Sequence, residues 1–186
     1  MAIGRALARV VCGLASVVLI AGVAAGQNAV QDYVLASDRA GLLRLGMAVG
    51  EVNSLFGPEH VRSMSLPREG QLDSGLAITL PERSGPPALI AEISDSPCGY
   101  PAVFGIRVLD ARFRTAEGLG VGTTAADLRR LYPFVMNEEE GAHAALIKAL
   151  RMSFFFGRDG TPDADIVTSV LIWADPAGVR ARRCPR

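Results

Sequence analysis

The sequence predicts an α+β fold in which two tandem repeats of a short helical element, each followed by antiparallel strands, build one sheet with the helices on one face. Three observations predict it. A similar segment occurs twice at an offset of about 76 residues, Leu45 to Gly57 (LGMAVGEVNSLFG) and Val121 to Pro133 (VGTTAADLRRLYP). Runs rich in β-branched and aromatic residues follow each copy. Between those runs stand Gly- and Pro-rich segments with the composition of turns.

Taken in chain order, the first element is an export signal over residues 1–26. Arg5 and Arg9 give a positive start, and Val10 to Ala25 is an uncharged run ending in small residues. At about 16 residues it is shorter than the ~20 a membrane-spanning helix needs. A cleaved signal is therefore expected, with an uncleaved anchor as the alternative. A lipoprotein signal is disfavoured because Cys12 lies near the start of the apolar run. Residues 27–186 then form one exported domain, with repeat one over about 38–113 and repeat two over about 114–180.

Within each copy a glycine, Gly46 or Gly122, ends an extended approach and can take a conformation closed to other residues. A short helix follows. Its apolar positions recur at three- and four-residue spacing: Val49, Val52, Leu55 and Phe56 in one copy, Ala125, Leu128, Leu131 and Tyr132 in the other. Glu51 and Asp127 stand in the first turn, where the helix dipole favours an acid, and Thr123 or Thr124 can cap the second helix. Pro58 and Pro133 stop the two helices. Strands are expected at Leu76–Pro81, Ala88–Ser94, Val103–Phe113, Arg151–Gly157 and Asp165–Ala174. The last has apolar residues on both alternating faces, the pattern of a central strand. Residues 138–150 fit either a helix, by their acidic start and basic end, or a strand.

Composition limits the function. Formal charge is zero, with 19 basic and 19 acidic residues, and becomes about −2 once Arg5 and Arg9 leave. The basic tail of Arg180, Arg182, Arg183 and Arg186 is too small for a nucleic-acid footprint, so no nucleic-acid partner is expected, nor a membrane span after cleavage. Of three cysteines, Cys98 and Cys184 remain in the mature chain. In an oxidising compartment one disulfide is the simplest reading; free thiols or a redox couple are the alternatives.

A search for chemistry finds none of the usual constellations. There is no G-x-S-x-G or S-x-x-K, and His60 and His143 lack the companions a zinc site needs. Asp159, Asp163 and Asp165 lack calcium-loop spacing and read as a hairpin connection. Gly118 to Gly122 lacks the lysine of a phosphate-binding loop. No cofactor, no metal and no enzymatic activity are expected. The polar set with the best claim to a partner is Arg112, Arg114 and Glu117. Arg112 and Arg114 flank Phe113 on an expected strand and would share a face able to bind a carboxylate.

The phrases RLGMAVGEVNSLFG and FRTAEGLGVGTTAADLRRLY resemble the helix-entry motif of the SmpA/OmlA small outer-membrane proteins and of the secreted β-lactamase-inhibitory proteins. The motif covers about 13 residues in each copy. That resemblance implies a repeated helix-on-sheet unit that acts by binding another protein. The expected function is thus a non-catalytic periplasmic or secreted protein that binds an envelope or extracellular partner, in assembly or as an enzyme inhibitor. A small-ligand or cell-wall-fragment binder is the alternative, and a hydrolase a more distant one.

Overall fold

The computed structural model describes residues 33–68, 71–82, 85–95, 99–139, 142–157 and 165–174, which belong to one compact unit. The signal segment, Cys98, Cys184, Asp159 and Asp163 lie outside the described residues.

The chain is built mostly of antiparallel strands. A small sheet comes first, from β1 (Leu35–Ala36), β2 (Arg39–Ala40) and β3 (Leu43–Arg44). Helix α1 (Val49–Phe56) leads into a four-stranded meander of β4 (Val61–Arg68), β5 (Gln71–Ile78), β6 (Leu89–Asp95) and β7 (Pro101–Val108). Helix α2 (Ala125–Leu131) leads into a second meander of β8 (Met136–Glu139), β9 (Ala142–Ile147), β10 (Met152–Gly157) and β11 (Ile166–Trp173). The last strand of each meander pairs with the other, Val108 opposite Val170 and Gly105 opposite Trp173. The result is one eight-stranded sheet in the order β4-β5-β6-β7-β11-β10-β9-β8.

The expected fold class is corrected by this arrangement. Helix contributes only two elements among the described residues, of 8 and 7 residues. There are two sheets rather than one, and strand dominates the chain, so the molecule is a sheet protein and not an α+β tandem of helix-plus-strand units. Two local reasons account for the difference. Residues 138–150, where a helix remained open, hold the end of β8 and all of β9, paired through Glu138↔His143 and Glu139↔Ala142. Val61–Arg68, with serines at alternate places and a proline, forms a full-length edge strand, where half the positions have no core to meet.

Because side chains directly opposite on antiparallel strands share a face, the register sorts the sheet into two surfaces. One carries Ile78, Leu89, Val108, Ile106, Val170, Ile172, Phe154 and Ile147, and joins Val52 of α1 and Ala125 and Leu128 of α2 in the main core. Leu35, Ala40, Leu43 and Leu45 close the same core from the small sheet. The other surface carries a separate cluster, Ala144, Phe155 and Leu171, which no helix residue joins.

Both helices enter alike. Gly46 and Gly122 hold φ of 79° and 90°, donating to Val103 O (2.6 Å) and Val167 O (2.7 Å). The return bonds run from Val103 N to Met47 O (3.0 Å) and from Val167 N to Thr123 O (2.8 Å). At each place the meander carries a β-bulge, between Glu92 and Ile93 and between Phe155 and Phe156. A glycine is needed because the left-handed conformation costs other residues about 1–2 kcal/mol.

Candidate functional site

The helix-free surface of the sheet gathers the polar chemistry that the core face excludes. Its central row crosses five strands as Ile90, Arg107, Leu171, Ser153 and Leu146. Glu92, opposite Gly105, and Trp173, opposite Gly105 from the other side, form the next row. Gly105 has a steric role here: an added Cβ would lie 2.8 Å from Glu92 Oε2, so the glycine leaves room for that carboxylate to fold down onto the strand. Glu92 is buried and pairs with Arg107 at 3.6 Å. Arg107 in turn lies over the Phe155 ring, 4.7 Å from its centroid, a cation–π contact.

Two buried polar atoms on this surface, Ser153 Oγ and Trp173 Nε1, have no hydrogen-bond partner among the described residues. An unmatched buried donor or acceptor costs about 1–3 kcal/mol, so each calls for a water or a partner group.

On the core face a second feature lies at the far end of the first meander. There an open groove of about 750 Å³ runs beside the start of α1, lined by Val49, Leu76 and Ile93 below and by Ser63, Ser65, Ser74 and Asp95 at its rim.

The residues expected to bind a partner, Arg112, Arg114 and Glu117, lie away from the helix-free face. Asp110 to Arg112 make a turn, not a strand, so Arg112 and Arg114 do not share a face. Arg112 forks onto Asp110, with Nη2 at 2.8 Å from Oδ2 and Nε at 3.1 Å from Oδ1. Its Nη1 reaches Glu82 Oε1 at 2.8 Å and Tyr33 Oη at 2.7 Å, and Tyr33 donates to Glu82 at 2.5 Å. The Tyr33 ring lies under the guanidinium at 4.6 Å and meets Phe113 edge-on at 5.2 Å. Asp110 and Glu82 hold the arginine proton more firmly than usual, though burial works against them. Burial first, then the bond to Glu82, raises the Tyr33 phenol above its ordinary pKa. This is an internal clamp that ties the segment before β1 to the sheet. Arg114 backs it: its amide donates to Tyr33 O (2.9 Å) and its carbonyl accepts from Leu35 N (2.7 Å). Its side chain reaches the Thr123 hydroxyl at 3.4 Å, and Glu117 is exposed in the adjoining turn.

The remaining motif residues have structural places. Asp127 and Thr124 cap α2 reciprocally, Asp127 N to Thr124 Oγ1 at 3.1 Å and Thr124 Oγ1 to Asp127 Oδ2 at 2.8 Å. Glu51 accepts from Ala48 N at 2.8 Å at the start of α1. Leu55 and Leu131, expected in the core, are 41% and 43% exposed. At 100° per residue they stand about 60° to one side of Val52 and Leu128, while the buried stripe runs to the other side through Val49 and Phe56 or Ala125 and Tyr132. Among the described residues no group of three or more His, Cys, Asp or Glu is placed to hold a metal ion. No helix among them is long and apolar enough to cross a membrane.

Comparison with known proteins adds a likeness of fold. A crystal structure described as the uncharacterized protein yfeY from Escherichia coli matches with a TM-score of 0.51 at 15% sequence identity, covering 77% of this chain and 97% of that one. No protein-family model matches the chain, and no curated protein matches it.

Proposed function

We propose that this chain is an exported, non-catalytic binding protein that holds a protein partner against the helix-free face of its eight-stranded sheet. One observation carries the reading: half-buried Ile90, Arg107, Leu146 and Trp173 stand at the surface of that face, around the buried Glu92 carboxylate and the buried Phe155 and Leu171 cluster. Trp and Arg beside apolar side chains are the residues enriched at protein interfaces. The extent of the face favours a protein over a small molecule. Its residues span β6 to β9 across five adjacent strands, roughly 20 Å at about 4.8 Å per strand, which suits the ~800 Å² a standard interface takes from each side.

The uncharged run at residues 10–25 supports a periplasmic or secreted location, and the resemblance of the helix-entry phrases to partner-binding exported proteins agrees with it. Envelope assembly and enzyme inhibition both fit a protein of this kind.

A photo-crosslinking residue at Leu146, half-buried on the helix-free face, tests the reading against one at Arg130, exposed on α2. In the native envelope fraction, Leu146 should give a discrete crosslinked species that Arg107→Glu abolishes, and Arg130 should not. Equal yields from the two positions, or a Leu146 species indifferent to Arg107→Glu, would show that the partner sits elsewhere.

A further inference from the structure

We infer that β4 is a docking edge for an extended segment of a partner protein, a segment that adds a strand to the sheet and alternates apolar residues with acids. The hydrogen-bond phase of β4 shows what it offers. Only two residues separate Arg68 from its partner Gln71, so that pair exchanges backbone bonds, and by alternation Leu66, Met64 and Arg62 do the same with Asp73, Gly75 and Ala77. Thr79 N donates to His60 O at 2.9 Å in the same phase. The N–H and C=O groups of Val61, Ser63 and Ser65 therefore point away from β5, and among the described residues no strand lies beyond them. Pro67 belongs to the same outward set, where its missing N–H removes no ladder bond. The opposite edge is blunted: β8 has only four residues, and two of them are Glu138 and Glu139.

The two sides of the edge select the segment. Val61 stands opposite Ile78 and Ser63 opposite Leu76, so the side chains of Val61, Ser63 and Ser65 lie on the core face. Ser63 and Ser65 border the groove of about 750 Å³ that Leu76 and Ile93 also line. A strand added about 4.8 Å beyond β4 sets alternate side chains on this side. There a leucine or methionine reaches across the short serines to the apolar floor, the usual source of specificity when a peptide joins a sheet edge. On the other face Arg62 is exposed and makes no ion pair among the described residues, so a carboxylate fits beside it. A second copy of this chain meets these demands poorly. Pairing β4 with itself would bring only valine, serines and a proline to the core side, and the strand Val61–Arg68 holds no acid to face Arg62.

Fluorescence anisotropy and amide hydrogen exchange on the purified full chain, with the labelled hexapeptide acetyl-Leu-Glu-Leu-Glu-Leu-Glu-amide as probe, test the edge. The peptide should bind and slow exchange at the Ser63 and Ser65 amides. Methylating one alternate set of its amide nitrogens, the leucines' set in an antiparallel pairing, should weaken binding by about tenfold or more, a loss of about 1.4 kcal/mol or greater. Methylating the other set should not. Arg62→Glu should weaken binding severalfold and should improve that of the Leu-Lys counterpart. Neither Arg62→Glu nor Ser65→Pro, which removes one outward N–H, should change crosslinking from Leu146, so this edge and the partner face stand or fall separately. The edge is no peptide site if exchange at Ser63 and Ser65 is not slowed, if both methylated forms bind as the plain peptide does, or if the Leu-Lys peptide binds the parent chain equally well. A dimer in sedimentation that Ser65→Pro dissociates would give the edge to a second copy and overturn the assignment.

Discussion

Replacing Arg112 with alanine separates a structural role from a partner-binding one. The guanidinium is the hub of three short contacts, to Asp110, Glu82 and Tyr33. The inner one matters most, because the Asp110 side chain is 2% exposed while Arg112 and Glu82 are 36% and 41% exposed. Stranding one member of a fully buried ion pair costs ~3–5 kcal/mol, and an exposed pair contributes at most ~1 kcal/mol. Water reaches the outer side of this clamp, and Asp110 keeps the backbone amide of Arg112 at 2.9 Å, so we expect a loss of roughly 2–3 kcal/mol. For a domain of this size that lowers Tm by about 5–10 °C. Arg112→Lys keeps the charge but loses the fork, and should fall between. Thermal unfolding followed by circular dichroism at neutral pH reads both. A Tm for Arg112→Ala within about 1 °C of the parent would refute the clamp. If crosslinking from Leu146 were also lost in that variant, Arg112 would belong to the partner surface, as its sequence position first suggested.

The other expectations are more local. Raising the pH should weaken the same clamp. A folded-state pKa above the unfolded one means that the neutral Tyr33 phenol contributes stability below about pH 10, and this is lost as pH rises through the raised value. Tyr33→Phe should therefore show a shallower alkaline loss of Tm than the parent, and parallel curves would contradict it. Gly122→Ala should cost about 1–2 kcal/mol through backbone strain alone, since an added Cβ meets nothing closer than Arg114 Nη2 at 3.9 Å; an unchanged urea midpoint would show the turn to be unstrained. Ser153→Ala removes an unmatched buried hydroxyl and should raise stability by about 1 kcal/mol while weakening partner capture. A drop in Tm would mean that the hydroxyl has a partner in the free protein. Cys98 and Cys184 should resist alkylation in protein isolated without reductant. Ala174 N bonds to Phe104 O at 3.0 Å, six residues from Cys98 and ten from Cys184. These segments span up to about 21 and 35 Å, so the pair can close, and two free thiols per chain would exclude it.

What the sequence disclosed depends on how far apart the interacting residues lie along the chain. Ile166–Trp173 shows apolar residues at both alternating sets and reads as a central strand; it stands between β7 and β10. Gly46 and Gly122 likewise announce their positive φ, because that requirement is local. The strand expected through Arg112 and Arg114 gives way to a turn for the opposite reason. Alternation with Phe113 suggests a strand, but Asp110 two residues earlier captures Arg112 and turns the chain. The helix-free face was not legible at all. Alternation within one strand shows that Ser153 and Phe155 share a side, yet nothing in it places them beside Leu171 or Arg107, which come from strands paired only through the tertiary register. The one available signal was that β10 and β11 both carry apolar residues on two faces, which requires a second surface needing cover.

The two meanders separate constraint from function in a way that neither would show alone. Their entry glycines, return hydrogen bonds and bulges coincide, because a helix can be set onto the bulged strand in few ways without stranding backbone donors. Their side chains diverge where the backbone sets no demand. Phe134 and Phe156 close one end of the core face, while Ser65, Ser74 and Ile93 leave the other open. On the reverse side the Phe155 and Leu171 cluster belongs to the second meander, and Arg107 and Glu92 reach it from the first.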